Sequence, residues 1–572
     1  MLTDYYKQEI RLLNEIAQDF AQDNPALNKA VMSINTDPDT SRILQGVAFL
    51  TANIRQELDS QFPKLLLSLA QIICPQYIRP MASATIIAFE PKPSIAKPLE
   101  IAAHTYIDSK ESAQGVARFR TTENISLLPV KLTNVTSTEQ KSNSGITIKL
   151  SFELINQTLD QLDFDNIRFY LGGEYSDASD MYSLLLNQLT GIRINANGES
   201  YLAPTNLVAT GFQPSQSLYP QPKGMMPAFD LLQQYFLFPQ KFLFVDLNLK
   251  QWLSRGAGST FDLYFDCKKP NFALPKLNRD HFVLHATPAV NLFEQDAQAI
   301  LINPDNEEYQ LLPRDETQQQ IYSVEHVESN ARGMDTHRSY QLFGGFSSPQ
   351  NTDAVYELQY QQSSRKDAPD VYLKLAFPPN NPVNSNEILK TKLVCSNSQA
   401  AEKLLPGDIC IATSNTPELA TFRNVIAPTK ARNIPFDGDM LWQLISHLSL
   451  NYLSITDHTT LQAILRQYVA PDNRDKSGRL INEKKITAIS NVVVKAGESL
   501  LHNTFVHGQN IKITIKSENF ECMGDKYLFG SVLDRFFAAT AAINVYSELT
   551  FEDFFSGECQ QWPAKIGNRP LQ

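Results

Sequence analysis

The spacing of apolar positions changes from helical to alternating about eighty residues into the chain. Before that point apolar residues recur three or four positions apart, which places them on one face of a helix. The first such set is Tyr6, Ile10, Leu13, Ala17 and Phe20. Asn24-Pro25 ends this first predicted helix. A second helix is predicted to begin at Asp37-Pro38, because aspartate caps helices and proline suits the first helical position.

The second predicted helix carries small residues, Gly46, Ala48 and Ala52, among its apolar positions. Its apolar stripe consists of Ile43, Val47, Leu50, Ile54 and Leu58. A glycine in a helix interior costs about 1 kcal/mol relative to alanine, and close approach of another backbone would offset that cost. Periodicity favours an internal hairpin with a partner helix in the same chain over a bundle that other subunits complete. Pro63 is predicted to kink this helix or to start a new one.

Alternating apolar and polar residues dominate the middle of the chain and predict β-strands. The predicted strands cover 84–89, 145–154, 167–171, 242–249 and 260–267, and a helix is inserted at 177–189. Residues 203–227 and 377–387 are rich in turn formers and are predicted to be loops near domain boundaries.

The C-terminal part mixes both periods. Helices are predicted at 439–454, at 459–469 and around 529–543, and strands at 511–515 and 545–551. The sequence therefore predicts an α+β multidomain protein. Its four parts are an N-terminal helical bundle region (1–82), a β-rich, sandwich-like domain with an inserted helix (83–270), a second β-rich domain (271–430) and a mixed α/β C-terminal domain (431–572).

Charge and cysteine usage narrow the functional classes. The formal net charge is -11 and the sequence pI about 5.4, which argues against a nucleic-acid-binding protein. The six cysteines are scattered without a C-x-x-C pair, as expected for free thiols in a reducing compartment. The most apolar uncharged run, LLLSLAQIICPQYI at 65–78, contains a proline and is too short to span a bilayer. With no secretory signal in the sequence, we expect a cytoplasmic protein without a membrane span.

No motif of a known catalytic or metal chemistry occurs in the sequence. H-E-x-x-H, G-x-S-x-G and the phosphate-binding G-x-x-x-x-G-K-[ST] are absent. His281 and His285 lie in an alternating context and are predicted to be structural, and the aspartates of 160–165 to form a solvated turn. We therefore predict no catalytic, metal or cofactor-binding residues and no enzyme activity. The alternatives are a hydrolase on a β-rich scaffold without a readable motif and a surface-binding β-sandwich protein.

Several long motifs, in a fixed order over nearly the whole chain, resemble the TssF family of type VI secretion baseplate subunits, which is related to phage baseplate wedge proteins. The motifs are DYYKQEIRLLNEIAQDFAQDNP (4–25), DPDTSRILQGVAFL (37–50), YIRPMAS (77–83), LLQQYFLFPQKFLFVDL (231–247), TPAVNLFE (287–294), LWQLISHLSLNYLS (441–454), FGSVLDRFFAATAAINVYSEL (529–549) and WPAKIGNRPLQ (562–572). The chain departs from the family pattern at Asp230, at His285-Ala286 and at His507.

The resemblance implies a structural role in a contractile injection machine. Two copies of such a subunit join one TssG-like subunit in a wedge whose shared core is a helical bundle, with β-rich parts extending outward. Six wedges surround the spike hub, contact a TssK-like adaptor and start the sheath through a TssE-like subunit. The implied location is the cytoplasmic face of the inner membrane, within the baseplate.

Given this resemblance, packing of the second helix against helices of other subunits is as well supported as packing in a hairpin within the chain. The candidate subunit-interface residues are Ile43, Gly46, Val47, Leu50, Ile54, Leu58, Phe529, Leu533 and Phe536. The expected mechanism is mechanical: contacts with the hub or the adaptor shift the wedge from one arrangement to another and thereby trigger sheath contraction.

Overall fold

The computed structural model of the 572-residue chain describes residues 6–7, 9–12, 38–73, 75–434 and 457–567 with short internal gaps, the longest at 140–144, 222–226, 332–336, 344–353, 378–386 and 470–474. The chain divides into two compact units. One comprises Met1–Ile73 with Pro435–Ser446, and the other comprises Cys74–Ile434 with His447–Gln572. Helices and strands both contribute extensively, which confirms the predicted α+β class.

The helices of the described residues differ greatly in length. In chain order they are α1 (Pro38–Ile73), α2 (Tyr175–Asn187), α3 (Pro227–Leu237), α4 (Gln399–Glu402), α5 (His458–Gln467), α6 (Lys476–Thr487) and α7 (Met523–Thr540). Residues 6–7 and 9–12 are also helical. The rest of the first predicted helix, and the helix predicted at 439–454, lie outside the described residues.

The first unit is dominated by α1, which runs for 36 residues without a break. Pro63 therefore does not start a new helix. Loss of one backbone donor at a proline is tolerated when turns on either side are held by packing, and here Ala52, Leu66 and Ala70 are all buried.

The strands lie in the second unit. In chain order they are β1 (Ala84–Pro91), β2 (Leu99–Ile101), β3 (Tyr106–Ser109), β4 (Arg118–Thr121), β5 (Ile125–Leu127), β6 (Val130–Glu139), β7 (Gly145–Leu154), β8 (Asn166–Leu171), β9 (Leu189–Asn195), β10 (Glu199–Leu202), β11 (Leu207–Thr210), β12 (Phe244–Asn248), β13 (Thr260–Lys268), β14 (Phe282–Leu284), β15 (Ala286–Val290), β16 (Phe293–Asp296), β17 (Ile300–Leu301), β18 (Glu308–Leu311), β19 (Gln320–Ala331), β20 (His337–Leu342), β21 (Ala354–Gln361), β22 (Asp370–Ala376), β23 (Glu387–Ser396), β24 (Ile409–Ala412), β25 (Ala420–Asn424), β26 (Ile489–Leu501), β27 (Thr504–Ile515), β28 (Tyr546–Asp553), β29 (Cys559–Gln561) and β30 (Lys565–Ile566).

Sheet pairing joins distant parts of the sequence. One sheet has the order β24-β3-β4-β15-β1-β25, so strands from both sides of residue 270 share it. The other large sheets have the orders β10-β9-β13-β7-β6, β11-β12-β8-β14, β16-β23-β19-β20-β21-β22-β18 and β26-β27-β28-β29. β17 pairs with β23, β30 pairs with β28, and β2 pairs with β5. The boundary predicted at residue 270 thus falls within a stretch that one sheet ties together.

Each of the two largest sheets carries its own apolar cluster. Ile87, Phe119 and Ile409 belong to the cluster on the sheet that contains β1. Tyr340 and Leu393 belong to the cluster on the sheet that contains β19. These clusters supply the burial that stabilises a large β-rich unit.

Three helices and a strand meet around α7 in the C-terminal part. The Phe529 ring lies 5.8 Å from that of Tyr235 on α3 and 6.4 Å from that of Phe551 on β28, measured between centroids. α2 crosses α7 at Gly524, where a Cβ atom would overlap the backbone of Ser179. The absence of a side chain at this position therefore permits the two helices to approach.

A buried ion pair lies in the same region. Lys485 of α6 and the carboxylate of Asp525 on α7 are 2.6 Å apart, with 3% and 0% of their side chains exposed. The Tyr175 hydroxyl donates a hydrogen bond of 2.6 Å to the same carboxylate oxygen, and burial raises the pKa of Tyr175 well above its usual value. One carboxylate therefore links α2, α6 and α7.

β26 and β27 form a long hairpin that only its base connects to the rest of the sheet. β28 pairs with β27 from Gly508 to Ile515. Beyond that point the two strands pair with each other and with no other described strand, and their cross-strand partners Leu500 and Phe505 are 59% and 76% exposed.

Most predicted strands are present where the alternation indicated them. The strands at 84–89, 145–154, 167–171, 260–267 and 511–515 and the helices at 177–189 and 459–469 are confirmed, with ends that differ from the predicted ones by at most seven residues. The loop prediction for 203–227 is wrong in part, because Leu207–Thr210 forms β11 and pairs with β12. With four residues at a sheet edge, β11 is too short to show an alternating pattern.

Candidate subunit-interface surface

An exposed apolar stripe follows α1. Val47, Leu50 and Ile54 are 45%, 63% and 61% exposed, and Leu65 and Leu69 are 59% and 39% exposed. Their spacings of three, four, eleven and four residues place all five on one side of the helix. Large apolar side chains scattered singly over a surface are ordinary, whereas a row of five along one helix forms a contiguous apolar surface of the kind that proteins use for binding.

The buried side of the same helix is lined by small residues. Ala48, Ala52 and Ala70 have no exposed surface, so this side packs closely within the chain. Gly46 differs from them: it is exposed, and no atom of the described residues lies within 4 Å of where its Cβ would be. Intrachain packing therefore explains the alanines, whereas the described residues impose no packing requirement for glycine at position 46.

The predicted interface residues fall into three groups. Gly46, Val47, Leu50 and Ile54 lie on the exposed side of α1. Ile43 and Leu58 belong to α1, but their side chains are outside the described set. Phe529, Leu533 and Phe536 belong to α7 and are completely buried in the core of the chain.

The burial of the α7 residues has a simple cause. α7 has buried residues on nearly every side, including Gly524, Val532 and Ala538, and such a helix is a core helix. A stripe read from Phe529, Leu533 and Phe536 alone resembles that of an amphipathic helix. The interface proposal below therefore rests on α1.

Sequence reasoning missed two exposed apolar surfaces in the C-terminal part. One is the distal end of the β26–β27 hairpin. The other lies on α6, where Leu480 and Ile481 are 61% and 45% exposed. The sequence signal for the surface on α6 was an apolar pair between basic residues in KSGRLINEKKIT. The same pattern is typical of an ordinary solvent-facing helix.

The positions at which the chain departs from the family pattern have defined surroundings. Asp230 is buried and accepts hydrogen bonds from Ser217 (2.8 Å) and Gln221 (3.1 Å), so it secures the loop before α3. His285 is buried, and its backbone has a φ of 52°. Burial lowers the pKa of His285 to about 4, so it is neutral at pH 7. His507 is exposed on the hairpin and lies 3.3 Å from Glu498.

The buried cysteine thiols and the acidic residues of the chain show no sign of a chemical site among the described residues. Burial raises the pKa of Cys267 and of Cys395 to about 12, which keeps both as thiols. Within the part of the chain that the structure describes, no group of three or more histidine, cysteine, aspartate or glutamate side chains is arranged to hold a metal ion. No helix of the described residues is long and apolar enough to cross a membrane.

The family model for "Type VI secretion system, TssF" matches residues 1–569. The chain belongs to the TssF family. A curated family member, the type VI secretion system component TssF1 of Pseudomonas aeruginosa, is 25% identical over 623 residues, an alignment that covers 100% of this chain and 99% of the relative.

Solved structures share the fold of this TssF-family chain. A chain in the cryo-electron microscopy structure of the TssK-TssF-TssG baseplate subcomplex of a type VI secretion system matches with a TM-score of 0.78 and 24% identity, over 92% of this chain and 99% of that chain. A chain in the baseplate complex of the type VI secretion system matches with a TM-score of 0.62 and 19% identity, over the full length of both.

Proposed function

We propose that this chain is a structural wedge component of a type VI secretion baseplate. It assembles with a TssG-like subunit, two copies to one, and with a TssK-like adaptor. The resulting platform surrounds the spike hub, starts the sheath through a TssE-like subunit and triggers its contraction. The role needs no catalytic residue. It is supported by the match to the TssF family and by the similarity to chains in two type VI secretion baseplate structures.

The observation that carries the proposal is the exposed apolar stripe of α1. Covering each of its five side chains contributes about 1–2 kcal/mol, enough in sum to hold a helix of another subunit. Gly46 supports the same interpretation, because it permits a neighbouring backbone to approach a helix position that no described residue of this chain occupies.

Co-expression with the TssG-like chain tests the proposal. The variant Leu50→Asp/Ile54→Asp places two carboxylates in the stripe, and burying them against a partner is unfavourable. We expect co-purification with the TssG-like chain to fall at least about tenfold, while the secondary structure by circular dichroism stays unchanged because both positions are exposed in the chain.

The matched control is Leu253→Asp, which changes another apolar residue that is 88% exposed but belongs to the second unit. This variant is expected to bind like the wild-type chain. Unchanged binding of the α1 variant, with the control behaving as described, would show that the stripe is not the interface.

A further inference from the structure

α6 presents basic and apolar side chains together on the surface of an acidic chain. Leu480 lies one helical turn from Lys476 and one turn from Lys484, and all three are exposed. Arg479 is exposed beside them and pairs with Glu483 at 3.0 Å. The protein as a whole carries a formal net charge of -11. A positively charged apolar surface on such a molecule fits a partner surface that is apolar and negatively charged.

The chain itself carries a surface of that complementary kind. Phe554 and Phe555, in the turn that follows β28, are 54% and 70% exposed. Glu558 on the same turn is exposed, and Glu518 and Glu521 are exposed on the segment between β27 and α7. This surface, defined by these two phenylalanines and three glutamates, is named the acidic aromatic surface.

The two surfaces are neighbours on one side of the C-terminal part. The Asn519 amide donates a hydrogen bond of 3.1 Å to the Lys484 carbonyl, which attaches residues 517–519 to the end of α6. The Phe554 N–H donates to the Ile515 carbonyl at 2.9 Å, and the Lys516 ammonium lies 5.7 Å from the Phe554 ring centroid. A basic apolar surface and an acidic aromatic surface therefore lie side by side, joined by residues 515–519.

We propose that a second copy of this chain docks here, with α6 of each copy against the acidic aromatic surface of the other. In a two-fold contact every interaction occurs twice, once in each direction, so a surface with two adjacent complementary halves is self-complementary. Burial of Leu480, Ile481, Phe554 and Phe555 supplies apolar area, and the lysines and glutamates fix the orientation. This pairing rests on the proposed function in one respect: the pairing and the proposed function each require two copies of the chain in one assembly.

Charge exchange tests the pairing with the full-length chain. The variant Lys476→Glu/Lys484→Glu opposes carboxylates to carboxylates in both contacts, and Glu518→Lys/Glu558→Lys opposes lysines to lysines. We expect the dimer dissociation constant, from sedimentation equilibrium, to rise at least about tenfold in each variant. An equimolar mixture of the two restores opposite charges in both contacts and is expected to dimerise about as tightly as the wild-type chain.

The control is Lys131→Glu/Lys250→Glu, which makes the same change in net charge as the α6 variant at two exposed positions, one on β6 and one in the turn after β12. It is expected to leave the dissociation constant within about twofold of wild type. A monomeric wild-type chain at all concentrations, or a mixture that does not recover, overturns the pairing. So does loss of binding to vesicles of phosphatidylcholine and phosphatidylglycerol in the α6 variant without a change in dimerisation, because α6 would then be a lipid-binding helix.

The same samples separate this inference from the proposed function. If the wild-type chain dimerises as expected but does not co-purify with the TssG-like chain, the baseplate role fails and the pairing stands. If it co-purifies with the TssG-like chain and the charge-exchange variants keep the wild-type dissociation constant, the pairing fails and the role stands.

Discussion

Individual buried polar residues hold the C-terminal helices together, and Lys485 with Asp525 is the clearest case. The pair is removed from solvent, and its carboxylate also accepts the Tyr175 hydroxyl. Removal of one partner from a buried pair leaves the other charge without compensation, which costs far more than the intact pair contributes.

We therefore predict that Lys485→Met lowers the free energy of opening of α7 by about 3–5 kcal/mol. Hydrogen exchange of the α7 amides, measured by mass spectrometry, reports this free energy locally. The comparison is Lys512→Met, which removes an exposed partner of Glu552 and is expected to leave the exchange of α7 unchanged. Equal exchange in the two variants would contradict the structural importance assigned to the buried pair.

The sequence indicated some residue roles and could not indicate others. Periodicity indicated the apolar stripe of α1 at Val47, Leu50 and Ile54, but it left open whether the stripe packs within the chain or against another subunit. The burial of Phe529 was not visible, because it depends on Tyr235 and Phe551, which approach α7 only through the tertiary fold. The pairing of Lys485 with Asp525 likewise joins residues forty positions apart through the packing of α6 and α7.

At the scale of elements, the contact between α2 and α7 depends on a glycine, a residue without a side chain. α2 and α7 approach each other at Gly524, where any side chain would meet the backbone around Ser179. Backbone atoms cannot move aside as the end of a flexible side chain can, so the two helices themselves have to separate.

We expect Gly524→Ala to destabilise the contact between α2 and α7 by about 1–3 kcal/mol, although alanine alone favours a helix. The measurement is the urea midpoint, followed by the fluorescence of Trp562, whose ring lies 5.5 Å from that of Tyr527 on α7. Gly191→Ala is the control, because none of the described atoms lies within 4 Å of its added Cβ. A midpoint for Gly524→Ala at or above that of wild type would show that the helices have room for a side chain.

Strands with one solvent-exposed face and one buried face were predictable from the sequence, and strands without that contrast were not. β7 alternates cleanly and was predicted at its observed bounds. The distal part of β26 is exposed or half-exposed on both faces, so its residues show no alternation and the strand was not predicted. Sheet order was also beyond the sequence, because β1, β15 and β25 come together from positions about 200 and 130 residues apart.

At the scale of the whole molecule, the chain combines well-packed β-rich sheets with a long helix whose outer side is apolar. The two largest sheets each bury an apolar cluster of their own, whereas α1 exposes five large apolar side chains in a row. In the proposed function, the sheets provide a rigid body and α1 provides the contact with neighbouring subunits. Binding of a partner along α1 is then expected to stabilise the chain.

The most direct measurement is the native mass of the complex that forms when this chain is co-expressed with the TssG-like chain. The account predicts a single species with two copies of this chain for each TssG-like chain. A complex with one copy would contradict the two-to-one wedge, and a stable monomer of this chain that ignores the TssG-like chain would contradict the structural role itself.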